Sequence, residues 1–141
     1  MILSDGTILD LIQAGTLDIK PFNIERLTPN GYDFGIDEDV SIPPGTGKQI
    51  ETSEAVFMPD FIGAMMFLRS SYSRRGLIAS FGYVDAGFRG KIRFFVYNSG
   101  QEEIKLTKEK GVFQMIFMNL DKQALKNYEN RSGHYQNQGI K

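Results

Sequence analysis

The sequence predicts an all-β domain with one short helix at its N-terminus. Its 15 Gly, 11 Phe and 6 Tyr in 141 residues suit short strands joined by tight turns. Apolar side chains alternate with a period of two in several segments, the spacing that puts them on one face of a strand. Only one segment has substantial helical spacing.

That segment opens with Ser4 or Asp5 as a cap, places Ile8, Leu11 and Ile12 at i, i+3 and i+4, and meets Gly15 as its stop. A strand-like Leu17-Asp18-Ile19 leads to Pro21-Phe22, and Pro29-Asn30-Gly31 is a turn signal before Tyr32 to Ile36. Ile62, Ala64, Met66 and Leu68 alternate up to Arg69; Ile92, Phe94 and Val96 alternate with Arg93, Phe95 and Tyr97; Val112 to Met118 repeats the period. Some of these strands are apolar on both faces, which predicts a second buried surface, such as one between subunits. Residues 127–141 form a polar, aperiodic tail, expected from composition to be disordered.

A mass of 15.9 kDa with 41% hydrophobic residues is enough for one core, so residues 1–141 are read as a single domain without internal boundary. Sixteen Lys and Arg against 17 Asp and Glu leave a net charge of −1, with no basic surplus for nucleic acid or an acidic membrane. No Cys and a single His exclude disulfides, thiol chemistry and the Cys-ligated zinc of the zinc nucleobase deaminases. The N-terminus has no signal-peptide pattern and no apolar run nears the roughly 20 residues that span a bilayer, so a soluble, cytoplasmic protein is expected.

Pro44-Gly45-Thr46-Gly47-Lys48-Gln49 looks like a phosphate loop, but Ile42 and Gln49 stand where that loop needs Gly and Ser or Thr; it is read as a turn. Arg69 to Arg75 is different in kind, with three guanidiniums and three serine hydroxyls directly after an apolar strand. Forked donors and small hydroxyls suit a polyphosphate, whose oxygens each accept several hydrogen bonds; a solvated connection with a capping Ser is the plainer account. Gly82 to Gly90 sets Asp85 between Tyr83 and Phe88 in a glycine-rich turn, where an Asp can also be a simple turn former. Gln114 is a polar residue on an apolar strand and must either tie down the chain or meet a polar ligand. The tail gathers Tyr128, Arg131, His134, Tyr135 and Gln138, an odd set for disorder alone.

In this order the segments resemble the superfamily of dUTP pyrophosphatases (dUTPases) and dCTP deaminases, over nearly the whole chain. Met1 to Asp5, Gly15, Leu17, Ile19, Pro21-Phe22, Arg69-Ser70-Ser71 with Arg74, and Tyr135 with Gln138 are similar to the deaminase branch. Tyr32-Asp33, Gly82 to Gly90 and Gln114 resemble the first, third and fourth dUTPase motifs. Where metal-free dCTP deaminases carry a Glu, ten residues after the motif Asp, this chain has Phe95, which can neither activate water nor pass protons to ammonia. That departure resembles the archaeal-type dUTPases, which combine a deaminase scaffold with dUTP hydrolysis.

The resemblance implies a distorted antiparallel β-barrel, jelly-roll-like, assembled as a homotrimer with sites at subunit boundaries. It implies Asp85 as the base that orients and deprotonates the attacking water, and Phe88 as the ring that packs on deoxyribose and excludes a 2′-hydroxyl. Arg69, Ser70, Ser71 and Gln114 match triphosphate contacts, Arg74 a nucleotide-site arginine, and Tyr128 and Gln138 tail contacts that close over nucleotide, while His134 stands where the deaminases have Lys. Asp33 matches the residue that helps hold the triphosphate-bound Mg²⁺ through water. No Gly-rich fifth motif is found, so the resemblance does not assign what covers the γ-phosphate. Three functions follow as expectations: a dUTP diphosphatase giving dUMP and pyrophosphate; a dCTP deaminase, alone or bifunctional; or a catalytically inactive nucleotide-binding trimer that acts as scaffold or sensor.

Overall fold

The structure, a computed structural model, describes residues 1–108 and 110–140. Helix α1 spans Asp5–Gln13, with the Ser4 side chain accepting from the Thr7 N–H at its start and Ile8 buried. The strands are β1 (Asp18–Lys20), β2 (Leu27–Thr28), β3 (Gly31–Phe34), β4 (Val40–Ile42), β5 (Gly47–Phe57), β6 (Ile62–Leu68), β7 (Leu77–Ser80), β8 (Arg89–Asn98), β9 (Ile104–Leu106) and β10 (Phe113–Asn119). A four-residue helix α2, Ser70–Ser73, follows β6, and a 3₁₀ turn covers Ile24–Arg26. The all-β expectation with one short N-terminal helix holds.

All the strand pairs are antiparallel. They form two four-stranded sheets, in the orders β1-β5-β8-β7 and β2-β3-β10-β6, and a β4-β9 ribbon. The alternation seen in the sequence decides which side faces inward: Ile92, Phe94 and Val96 of β8 are buried while Arg93, Phe95 and Tyr97 are exposed. Aromatic rings tie the two sheets together. Phe94 of β8 meets Phe113 of β10 edge-on at 5.0 Å, and Phe113 stacks on Phe34 of β3 at 5.5 Å.

Strand β5 breaks register against β8 between Glu51 and Ala55. Such an irregularity strands backbone polar groups, and buried side chains satisfy them here. The Thr52 hydroxyl accepts from the Ile92 N–H and donates to the Glu54 carbonyl. Glu54, only 3% exposed, accepts from the Gly35 N–H and the Ser53 hydroxyl and lies 3.7 Å from Arg26. The glycine-rich stretch supplies the turn between β4 and β5 at residues 43–46, with the Gly45 N–H donating to the Asn98 carbonyl, while Gly47, Lys48 and Gln49 already open β5.

The doubly apolar strands leave large apolar side chains outside. Met65 and Phe67 of β6, Ile78 of β7, and Phe95 and Tyr97 of β8 are all exposed on this chain. The tail corrects the expectation of disorder. Its described residues, through Ile140, dock on residues 86–91 through backbone bonds: the Tyr128 N–H donates to the Ala86 carbonyl, the Asn137 N–H to the Arg89 carbonyl and the Lys91 N–H to the Gln138 carbonyl. Among the described residues no helix is long and apolar enough to cross a membrane.

Candidate active site

The connection from β7 to β8 runs beside β6. Val84 pairs with Ala64 through both backbone bonds, each 2.9 Å, which fixes the segment just before Asp85. Asp85 to Phe88 then form a tight turn closed by Phe88 N–H donating to the Asp85 carbonyl at 3.1 Å. Its third residue, Gly87, sits at φ 86°, and a Cβ there would come 2.6 Å from Asn127; glycine is required both for the angle and for the tail's approach. The turn buries the Phe88 ring and leaves Asp85 exposed.

Asp85 and Phe88 line a cavity of about 510 Å³. Tyr128, His134 and Gln138 of the tail form another wall, with Phe88 and Tyr128 packed edge-on at 5.3 Å. Tyr83 lines it too; burial first, and the Asp85 charge second, push its phenol above the usual tyrosine range. Tyr83 and Arg93 were not singled out as site residues from the sequence. The β8 alternation was a usable signal for Arg93, since it places that side chain on the same face as Phe95.

The other expected residues gather elsewhere. Asp33 on β3 is the register partner of Gln114 on β10, and its carboxylate lies 3.7 Å from the Arg69 guanidinium. Arg69 also donates to the Gly111 carbonyl at 3.4 Å, and the Gln114 amide donates to the Thr28 hydroxyl. Ser70 and Ser71 lie in α2 beside Arg69, with Arg74 at its end, all exposed. Burial pushes the Asp33 carboxyl above the usual carboxylate range, and the Arg69 and Arg26 charges pull it partly back. None of these six residues lines the cavity around Asp85 within the chain. The expected residues thus fall in two separate groups, one with an exposed carboxylate and aromatic rings, one with guanidiniums and hydroxyls.

No group of three or more His, Asp or Glu among the described residues is placed to hold a metal ion. A single partly buried carboxylate such as Asp33 fits an ion that arrives with a phosphate chain and keeps its water, which is how Mg²⁺ commonly binds.

A protein-family model described as dUTPase matches residues 18–140. The chain belongs to the dUTPase family. It is 33% identical over 133 residues to a dCTP deaminase of Pyrococcus abyssi, covering 84% of each chain. It is 32% identical over 148 residues to a dUMP-forming dCTP deaminase of Hydrogenobaculum sp., covering 86% of this chain and 84% of that one. Among solved structures, the EIAV dUTPase superposes with a TM-score of 0.58 at 26% identity, over 68% of this chain and 80% of that one. The deoxycytidine triphosphate deaminase of Agrobacterium tumefaciens shares the fold, with a TM-score of 0.72 at 14% identity over 85% of this chain and 49% of that one. This dUTPase-family chain therefore has the dUTPase-like fold, and its relatives include enzymes named for two reactions on deoxynucleoside triphosphates.

Proposed function

We propose that the protein is a dUTP diphosphatase that hydrolyses dUTP to dUMP and pyrophosphate. The observation that carries this reading is the pairing of an intact Asp85 turn with Phe95 in place of the deaminase Glu. Phe95 lies on β8 with its ring over Gly47 of β5, so the position is filled by hydrocarbon. Nothing there can take a proton from water or give one to ammonia.

In this reading the Asp85 carboxylate accepts a proton from water as the water oxygen bonds to the α-phosphorus. The bond from that phosphorus to the bridging oxygen breaks, and pyrophosphate leaves. The Phe88 ring packs on the deoxyribose and leaves no room for a 2′-hydroxyl. Arg69, Ser70, Ser71, Arg74 and Gln114 bind the triphosphate, whose spreading negative charge their donors offset. Asp33 would help hold a triphosphate-bound Mg²⁺ through water, and that ion would offset phosphate charge. Tyr128, His134 and Gln138 wall the nucleotide from the tail side.

Because the two groups of residues lie apart within one chain, each is a half-site, and the complete site is assembled from two subunits of a homotrimer. The exposed Met65, Phe67, Ile78, Phe95 and Tyr97 supply the apolar faces that such an assembly buries. The relatives' names favour dCTP deamination as the second reading. Purified protein with Mg²⁺ and each of dUTP, dCTP and dTTP, followed for pyrophosphate and for ammonia, separates them. Pyrophosphate from dUTP without ammonia from dCTP is expected; ammonia from dCTP overturns the choice, and no product from any of them leaves a binding protein.

A further inference from the structure

The tail grips the Asp85–Phe88 turn through one side chain outside every motif named above, Gln136. Its Oε1 accepts the Arg89 N–H at 2.8 Å and its Nε2 donates to the Gly87 carbonyl at 3.0 Å. These two peptide groups flank Phe88, which is 7% exposed and whose own N–H and carbonyl are bonded to the Asp85 carbonyl and the Met58 N–H. A primary amide carries one acceptor and one donor side by side, the complement of a peptide N–H and a carbonyl two residues apart. A carboxylate offers only acceptors, and a hydrocarbon offers neither.

Neighbouring tail residues are held independently. The Asn137 N–H donates to the Arg89 carbonyl at 2.7 Å, and the Lys91 N–H to the Gln138 carbonyl at 2.7 Å, with the Gln138 amide returning a bond to the Lys91 carbonyl. This close approach needs Gly90, where a Cβ would stand 2.7 Å from the Gln138 nitrogen. On the other side the Tyr128 N–H donates to the Ala86 carbonyl at 2.8 Å. Losing the Gln136 amide therefore leaves the tail docked.

We infer that Gln136 is a positioning residue: its side-chain amide brackets the backbone on both sides of Phe88 and so fixes the ring that selects deoxyribose, together with the Asp85 carboxylate one turn earlier. The inference rests on the hydrolase reading for the role of Phe88, but the bracket itself is a property of the free protein. The tail then acts as a built-in wall of the site, formed before nucleotide arrives.

The test uses the full chain, wild type against Gln136→Met, which keeps the volume without the hydrogen bonds, and Gln136→Glu. Single-residue amide exchange by NMR on nucleotide-free protein should show the Arg89 amide exchanging about tenfold faster in Gln136→Met, the loss of roughly one hydrogen bond, with Lys91 and Tyr128 amides unchanged. Gln136→Glu should restore Arg89 protection, since its oxygen still accepts. In steady-state kinetics the dUTP-to-UTP ratio of kcat/KM should fall about tenfold in Gln136→Met. In Gln136→Glu the ratio should be low at neutral pH and recover as the pH falls and the carboxyl gains a proton to donate to Gly87. Unchanged Arg89 exchange overturns the bracket. Faster exchange at Lys91 and Tyr128 as well reduces Gln136 to a fastener of the tail and also overturns it, as does a wild-type substrate ratio in Gln136→Met. If wild type hydrolyses no dUTP, the hydrolase reading fails, while the exchange data still decide whether Gln136 holds the turn.

Discussion

The Phe95 ring lies across Gly47 of the adjacent strand, its Cζ 2.1 Å from where a side-chain carbon at position 47 would stand. The two residues are neighbours on β8 and β5, with Gly47 registered against Tyr97 and Gln49 against Phe95. Gly47 thus makes room for an aromatic ring at the position that the resemblance matches to the deaminase Glu. Phe95→Glu should therefore not create a deaminase. The new carboxylate would enter a setting shaped for a ring, without the supporting groups that orient a catalytic acid or base. Ammonia release from dCTP should stay at background for both wild type and variant; release by the variant at a rate comparable to dUTP hydrolysis would show that position 95 alone separates the two chemistries.

Asp85→Asn should keep the fold and nucleotide binding while dUTP turnover drops by about 10² to 10⁴. The amide preserves shape but cannot take a proton from water. Asp85 is exposed at the cavity rim, so its replacement removes no core contact and the melting temperature should stay within a degree or two of wild type. Turnover at the wild-type rate removes Asp85 from the chemistry.

Asp33 carries a stability signature of its own. Burial raises its folded-state pKa, with Arg69 and Arg26 opposing, so the folded chain holds this proton more tightly than the unfolded chain. Stability from this group is full below the unfolded value of about 3.9 and is lost as pH rises through the raised folded value. Asp33→Asn removes that loss, so the variant should melt higher than wild type at pH 7, with the gap closing toward pH 3.5. It should at the same time weaken Mg²⁺-dependent dUTP binding, a trade of stability for function. Melts between pH 3.5 and 7 decide it; a variant that melts lower at pH 7 makes the Arg69 ion pair, not burial, the dominant effect.

Light scattering at micromolar concentration should report three chains per particle. Phe67 is 51% exposed on the isolated chain, and a charge placed on a face that becomes buried is strongly unfavourable. Phe67→Glu should dissociate the proposed trimer and abolish dUTP turnover together, the outcome expected of the proposed site built from two subunits. A monomeric wild type with full activity would place both half-sites in one chain.

Much of the fold was legible before any coordinates. The period of two in Ile92 to Tyr97 marked β8 as a strand, and Ser4 or Asp5 marked the start of α1, because both are local consequences of backbone geometry; which face of β8 turns inward and which of the two residues caps were settled by the fold. The motif order grouped Asp85, Phe88 and Arg69 as one expected set, and within the chain Arg69 lies outside the cavity that Asp85 and Phe88 line. Composition misjudged the tail, since its packing depends on hydrogen bonds to the backbone of residues 86–91, which carry no trace in the tail's own polarity. Gln136 left no signal at all, for its partners are peptide groups 47 and 49 positions away in the chain. The separation of Asp85 from Asp33, Arg69 and Gln114 was also decided only by tertiary structure: Val84 pairs with Ala64 midway along β6, whereas Arg69 follows the end of that strand and Asp33 and Gln114 lie on β3 and β10, and a strand period tells which face a residue occupies but not which segment pairs beside it.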